Sequence, residues 1–244
     1  MYIIFSIMKL RYLFLCIGSV GLILLVPHIK TMTQGVSGLG NPSATQTETQ
    51  TPAQPKTKEQ VAEEIFQRLN PAVVTVYCGS EIGSGSIITP NGMVLTTKHV
   101  VWETPEIKVK TADGKTYQGW LKAIDPQYDL ALVQLDTKDT FPTVPLAKAP
   151  GLKVGETVHA IGSPAGKAGT LTTGTYTGTN QYGSLKTSKK LLEPGNSGGP
   201  LLNNQGEMVG VNKGLLPDGS GLATSVTIAQ KLIDRNQRVE AARK

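Results

Sequence analysis

Between residues 72 and 135 the chain alternates short apolar runs with polar breaks: AVVTVYC (72–78), SGSIITP (84–90), MVLTT (93–97), IKVKTA (107–112), TYQGWLKAI (116–124) and LALVQL (130–135). Runs of this length, rich in Val, Ile and Thr and bounded by Gly, Pro, Asn and Asp, predict β-strands. The pairs Asn91-Gly92 and Asp113-Gly114 read as hairpin turns, because both residue types tolerate positive φ. After the Pro-rich crossing FPTVPLAKAPG (141–151) the pattern resumes with ETVHAIG (156–162), GTLTTGTYTGT (169–179), PLLNN (200–204), EMVGVNKGLL (207–216) and GLATSVT (221–227). The pattern is all-β, in two lobes of similar size, about 71–140 and 152–227, within a folded domain spanning 58–244.

Helical periodicity occurs only at the ends of that domain. Thr57 stands three residues before Gln60, as in a capping box, and Val61, Ile65 and Leu69 follow on one helical face. Asn70-Pro71 stops this helix. Residues 228–241 are polar with Leu232 and Ile233 as anchors, which predicts a terminal helix.

The N-terminal part has a different character. Lys9 and Arg11 precede YLFLCIGSVGLILLV (12–26), the charge-then-apolar order of an export signal or a signal anchor within residues 1–30. The run is shorter than the roughly 20 residues that span a bilayer comfortably, yet no A-x-A cleavage site follows it. A cleaved signal and a retained membrane tether both fit. Either places the body outside the cytoplasm: periplasmic, secreted, or membrane-anchored and facing outward. Residues 31–57 are dominated by Thr, Gln, Gly, Pro and Ser, with little to bury against the entropy of ordering, and read as a flexible tether.

Charge and cysteine content narrow the chemistry. The net charge is +6, and setting aside Lys9 and Arg11 leaves +4 (6 − 2) spread among acidic residues without a basic stripe, which argues against nucleic acid as a partner. Of the two cysteines, Cys16 lies in the apolar N-terminal run and Cys78 in a strand, so Cys78 reads as a buried, inert thiol.

One segment breaks the strand pattern. EPGNSGGPLL (193–202) sets three glycines and two prolines around Ser197. Such glycines allow a tight turn and leave the N–H groups of Gly195 and Ser197 free to point into a common space, where they could hold an oxyanion. A serine hydroxyl is a poor nucleophile unless a base and an orienting carboxylate are in reach. Among the three histidines, His28 adjoins the export segment and His159 lies within a strand. His99 follows the strand MVLTT at a loop end, where a scaffold can aim its side chain. Asp129 heads the apolar strand LALVQL, at the edge of the first lobe. A loop histidine, a turn aspartate and a glycine turn are each common on their own.

Together, TTKHVV, YDLALVQ and PGNSGGPLL, in the order His, Asp, Ser, resemble the trypsin-like serine peptidases and, among them, the HtrA (Deg) family. GSGSIIT, HAIGSPAG, TLTTGTYTG and GEMVGVN extend the resemblance over nearly all of 58–240. It implies two six-stranded antiparallel β-barrels with a cleft between them, His99 as general base, Asp129 as orienting carboxylate, and Ser197 as nucleophile. The Gly195 and Ser197 amides become the oxyanion hole. It implies no metal or cofactor. Its partners would be unfolded or exposed polypeptide substrates, handled by a monomer or trimer. A substrate strand would pair with Val211-Asn212-Lys213, and the side-chain pocket would be built from Leu191, Leu192, Val211 to Gly214 and Gly221 to Ala223. Only the 17 residues 228–244 follow Thr227, so no PDZ module is expected after the protease domain. Residues 184–194 and the segment GLATSVT depart from the family's usual sequence and contribute loop geometry around the oxyanion donors. A non-catalytic polypeptide-binding module on the same fold is the alternative that these residues oppose.

Overall fold

The computed structural model describes residues 56–148 and 151–243. The expected export segment and nearly all of the expected tether therefore lie outside the described residues. Helix α1 (Lys58–Leu69) starts on the expected capping box: the Thr57 side chain accepts from Gln60 N–H, and the Gln60 side chain accepts from Thr57 N–H. Ala62, Ile65 and Leu69 are its buried positions, one stripe at helical spacing. Among the described residues no helix is long and apolar enough to cross a membrane.

Strands β1 (Val73–Cys78), β2 (Glu81–Ile87), β3 (Met93–Thr96), β4 (Ile107–Lys110), β5 (Thr116–Asp125) and β6 (Leu130–Leu135) close a barrel in the order β1-β2-β3-β6-β5-β4. A second barrel has the order β10-β11-β12-β9-β8-β7, made of β7 (Thr157–Gly162), β8 (Thr170–Thr179), β9 (Leu185–Lys189), β10 (Pro200–Leu202), β11 (Met208–Leu215) and β12 (Ser220–Ser225). Every neighbouring pair is antiparallel. The all-β reading with two barrels holds.

Strand periodicity explains why LALVQL is almost continuously apolar. Ala131, Val133 and Leu135 join the interior of the first barrel, while Leu130 and Leu132 join a core shared with the second barrel. A strand covered on both faces has no polar side. Helix α2 (Val226–Ala241) then closes the shared core with Val226, Ala229, Leu232 and Ile233. Arg235 donates to the Ile124 carbonyl of β5, which ties the helix at the end of the second barrel to the first.

One segment corrects the expected layout, while Asn91-Gly92 and Asp113-Gly114 lie in hairpin turns as expected, joining β2 to β3 and β4 to β5. In each, the glycine closes the turn, with Gly92 N–H bonded to Thr89 O and Gly114 N–H to Thr111 O, at φ of +81° and +88°. Glycine is needed there as the last residue of a four-residue turn, where the chain enters the left-handed region. The segment LKTSK, read as loop, is β9: it pairs with β8 and β12 and completes the second barrel.

Candidate active site

The cleft residues come from loops held by both barrels. His99 opens a short 3-10 turn, His99–Val101, directly after β3, and its neighbour Val100 is buried. Asp129 precedes β6 with φ of +56°, a conformation that aspartate tolerates better than most residues. Its backbone is pinned on both sides: Lys98 N–H donates to the Asp129 carbonyl, and the Thr224 hydroxyl of β12 donates to the Tyr128 carbonyl at 2.9 Å.

The two side chains meet. Asp129 Oδ2 lies 2.7 Å from His99 Nδ1, and Oδ1 accepts from the His99 backbone N–H at 3.0 Å. An ionised carboxylate can only accept, so Nδ1 carries the proton and Nε2 presents its lone pair. The aspartate side chain is 18% exposed and the histidine 43%, so the carboxylate is shielded while the imidazole faces the cleft.

Ser197 lies on the loop before β10. Its hydroxyl donates to the Lys213 carbonyl at 3.3 Å, and among the described residues it makes no hydrogen bond to the imidazole. The loop around it is tightly paired. Asn196 N–H bonds Glu193 O, Gly198 N–H bonds Asn212 O, and Gly199 N–H bonds Asn196 O. Two amides in this run stand apart: Gly195 and Ser197 N–H have no acceptor among the described residues. Gly195 has φ of +103°, as the third residue of the turn Glu193–Asn196, a type II geometry that demands glycine. A Cβ there would lie 2.5 Å from the Ser163 carbonyl oxygen.

The orientation of the 194–195 peptide follows from its neighbours. The Pro194 carbonyl accepts from Ala165 N–H at 3.3 Å, and in a trans peptide the N–H points opposite to the C=O. Gly195 N–H is thereby turned away from the Ser163–Gly166 segment. The arrangement offers a base with a free lone pair, a hydroxyl, and two unpaired donors, the parts that acyl transfer requires.

The expected substrate-contacting residues divide. Val211 and Asn212 are buried and paired on both edges, with Pro200 and Gly199 on one side and Thr224 and Ala223 on the other. No edge remains at those two positions for an added strand. Beyond them, Gly214 and Leu215 pair only with β12, so the open edge is Lys213 to Leu215. Leu191 is buried against Gly174 of β8, inside the second barrel, whereas Leu192 packs against Gly221, the cross-strand partner of Leu215. His159 is buried, bonded to Thr173 Oγ1 and Asn204 Oδ1, and burial pushes its imidazole below the ordinary value. Cys78 is buried, with its thiol directed at the Thr104 carbonyl.

Two closed six-stranded antiparallel barrels with a His-Asp pair and a glycine-flanked serine define the class of the trypsin-like peptidases. The family described as trypsin-like peptidase domain matches residues 83–211, and the chain belongs to it. Its relatives are HtrA and DegP proteins. The chain is 28% identical over 208 residues to the mitochondrial serine protease HTRA2 of Bos taurus, covering 77% of this chain and 45% of that protein. It is 40% identical over 146 residues to a probable periplasmic DegP-like serine endoprotease of Pseudomonas putida, covering 57% of this chain and 30% of that protein. The crystal structure of the serine endoprotease from Yersinia pestis superposes with a TM-score of 0.67 at 31% identity, over 75% of this chain and 68% of that one. The chain thus spans less than half the length of these two curated relatives.

Proposed function

We propose that this chain is a serine endopeptidase of the HtrA type, acting outside the cytoplasm on unfolded or exposed polypeptide segments. The observation that carries the reading is the pairing of a fixed His99 tautomer with two unpartnered amides on either side of Asn196. Ser197 Oγ attacks the scissile carbonyl carbon, and its proton passes to His99 Nε2. Asp129 stabilises the resulting imidazolium. The carbonyl oxygen gains charge and takes the Gly195 and Ser197 N–H bonds, each worth on the order of 3 kcal/mol in the transition state. His99 then gives the proton to the leaving amine as the C–N bond breaks and the carbonyl re-forms, leaving the acyl ester on Ser197; water, its proton taken by His99, attacks that ester, and Ser197 Oγ leaves with the proton from His99.

Substrate backbone adds as a strand along Lys213 to Leu215. That mode requires an extended segment, which folded proteins seldom present. The side chain preceding the cut enters toward Leu192 and Gly221, an apolar lining that favours aliphatic residues and leaves a charged group without a partner. The N-terminal apolar run would tether or export the domain, which works as a monomer or trimer.

The bond from Ser197 Oγ to Lys213 O also favours a second reading, a polypeptide-binding module without catalysis. At 3.3 Å this bond is weak, and a single χ1 rotation releases the hydroxyl. A fluorophosphonate probe separates the two readings. Covalent labelling of Ser197, lost in His99→Ala, is expected of the peptidase; no labelling of the intact protein would leave the binding module.

A further inference from the structure

Ser84 lies in β2 of the first barrel, fully buried, and yet its bonds run to the second barrel. Its hydroxyl donates to the Gly195 carbonyl at 2.6 Å and accepts from Ser163 N–H at 2.9 Å. Its own N–H donates to the Ser197 carbonyl at 2.7 Å, and its carbonyl accepts from Thr96 Oγ1 at 2.7 Å. One serine thereby touches the residues on either side of Asn196 and the strand end that leads into the Ser163–Gly166 segment. That segment supplies the Ala165 N–H bonded to Pro194 O.

We propose that Ser84 is a positioning residue: its hydroxyl joins the Gly195 carbonyl to the Ser163 amide and so holds the 194–195 peptide with its N–H facing the cleft. The inference rests on the reading of Gly195 and Ser197 N–H as the oxyanion donors. Three flanking groups fix that peptide: Ala165 N–H on the Pro194 carbonyl, the Ser84 hydroxyl on the Gly195 carbonyl, and Asn196 N–H on the Glu193 carbonyl. Two of the three depend on the spacing between Ser163 and Gly195, which the Ser84 hydroxyl spans with one bond to each. Without the hydroxyl, Gly195 O and Ser163 N–H lose their buried partner together. The peptide then keeps only the Ala165 and Asn196 bonds, and rotation against this weaker restraint would carry the Gly195 N–H out of the cleft. Ser84 touches neither His99 nor Asp129 through any hydrogen bond, so its effect is confined to the transition-state oxyanion.

The test is Ser84→Ala, which keeps the Cβ and removes only the hydroxyl. A drop in kcat of roughly 10- to 100-fold is expected, with KM within twofold and the pH profile of kcat/KM unmoved. Affinity for a peptide boronate, whose tetrahedral adduct uses the same donors, should fall in step with kcat. Thr75→Val serves as the structural control: it removes another fully buried hydrogen bond to this segment, Thr75 Oγ1 to Ser163 Oγ at 2.6 Å, and leaves the Ser84 hydroxyl in place. It should lose stability and keep kcat within threefold. Gly162→Ala crowds the same contact from the other side, its new Cβ standing 2.9 Å from Ser84 Oγ and 3.2 Å from Asn196 Cα, and it serves if Ser84→Ala does not fold. It should lower kcat and spare KM. A wild-type protein that is labelled and active, beside a Ser84→Ala or Gly162→Ala variant of unchanged kcat, would overturn the positioning role alone. So would equal loss of kcat in Thr75→Val. A wild-type protein that neither labels nor cleaves would overturn the peptidase reading and this inference with it.

Discussion

Replacing Gly195 by alanine tests the oxyanion geometry most directly. The residue sits at φ of +103°, and a Cβ placed there would stand 2.5 Å from Ser163 O, 2.8 Å from Pro164 Cα and 3.0 Å from Ala165 N. All three are backbone atoms, so no side chain can yield. The 194–195 peptide must rotate or shift instead, taking the Gly195 N–H out of line. Loss of one donor costs about 3 kcal/mol in the transition state, a fall in kcat of roughly 10²- to 10³-fold, while ground-state binding along Lys213 to Leu215 is untouched. Gly219→Ala supplies the reference: its φ of +82° imposes a left-handed strain on alanine, but nothing lies within 4 Å of the new methyl. It should cost about 1–2 kcal/mol of stability and no activity. Steady-state hydrolysis of a denatured protein or an extended peptide, with thermal unfolding in parallel, measures both. If Gly195→Ala keeps kcat within threefold of wild type, the amide is not a donor to the oxyanion and Gly195 and Ser197 do not form an oxyanion hole.

Asp129→Asn keeps the shape and the tolerance of positive φ, but its amide would donate to Nδ1 and leave the proton on Nε2; kcat should fall roughly ten-thousandfold with the fold intact by circular dichroism. Retention of a tenth of wild-type activity would show that the carboxylate does not set the tautomer. His159 makes a pH prediction for stability. Burial lowers its folded value below the 6.5 of the free imidazole, so the unfolded chain binds the proton more tightly. The stability it contributes is complete above about pH 6.5 and is lost as pH falls toward the depressed value, at up to about 1.36 kcal/mol per pH unit. Urea unfolding at pH 7.5 and 5.5 should show a smaller acid loss in His159→Gln than in wild type; equal losses would refute it. A mass-spectrometric map of cuts in a denatured protein should place most of them after Val, Ala, Ile or Leu, each buried methylene contributing about 0.8 kcal/mol. A majority after Lys or Arg would show that the lining near Leu192 is not the specificity pocket.

Much of the architecture was legible in the sequence because its causes are local. Thr57 and Gln60 cap α1 through atoms three residues apart. The runs from AVVTVYC to LALVQL carry the spacing of strands whatever they pair with. Gly195 announced itself as a turn residue beside a serine. The segment LKTSK was not legible. Only Leu185 and Thr187 of that strand are buried, and the intervening lysine and serine give it the composition of a loop. It is a strand because β8 and β12 each leave an edge that only this segment is placed to fill. Likewise the sequence pointed to Val211-Asn212-Lys213 as the substrate edge, but pairing on both sides consumes the first two positions and leaves Lys213–Leu215 as the open edge.

Residue types and their order thus determined that His99, Asp129 and Ser197 were candidates, since a base, a carboxylate and a glycine-flanked hydroxyl are chemical properties of side chains. Tertiary structure decided whether they meet and which way the peptide between Pro194 and Gly195 faces. The 2.7 Å contact of His99 with Asp129 closes 30 residues of chain, and Ser84 reaches Gly195 across 111. Hydrogen bonds act over about 3 Å, and between residues far apart in the chain they carry no signature in sequence spacing, so contacts between barrels exist only once both barrels have closed and packed.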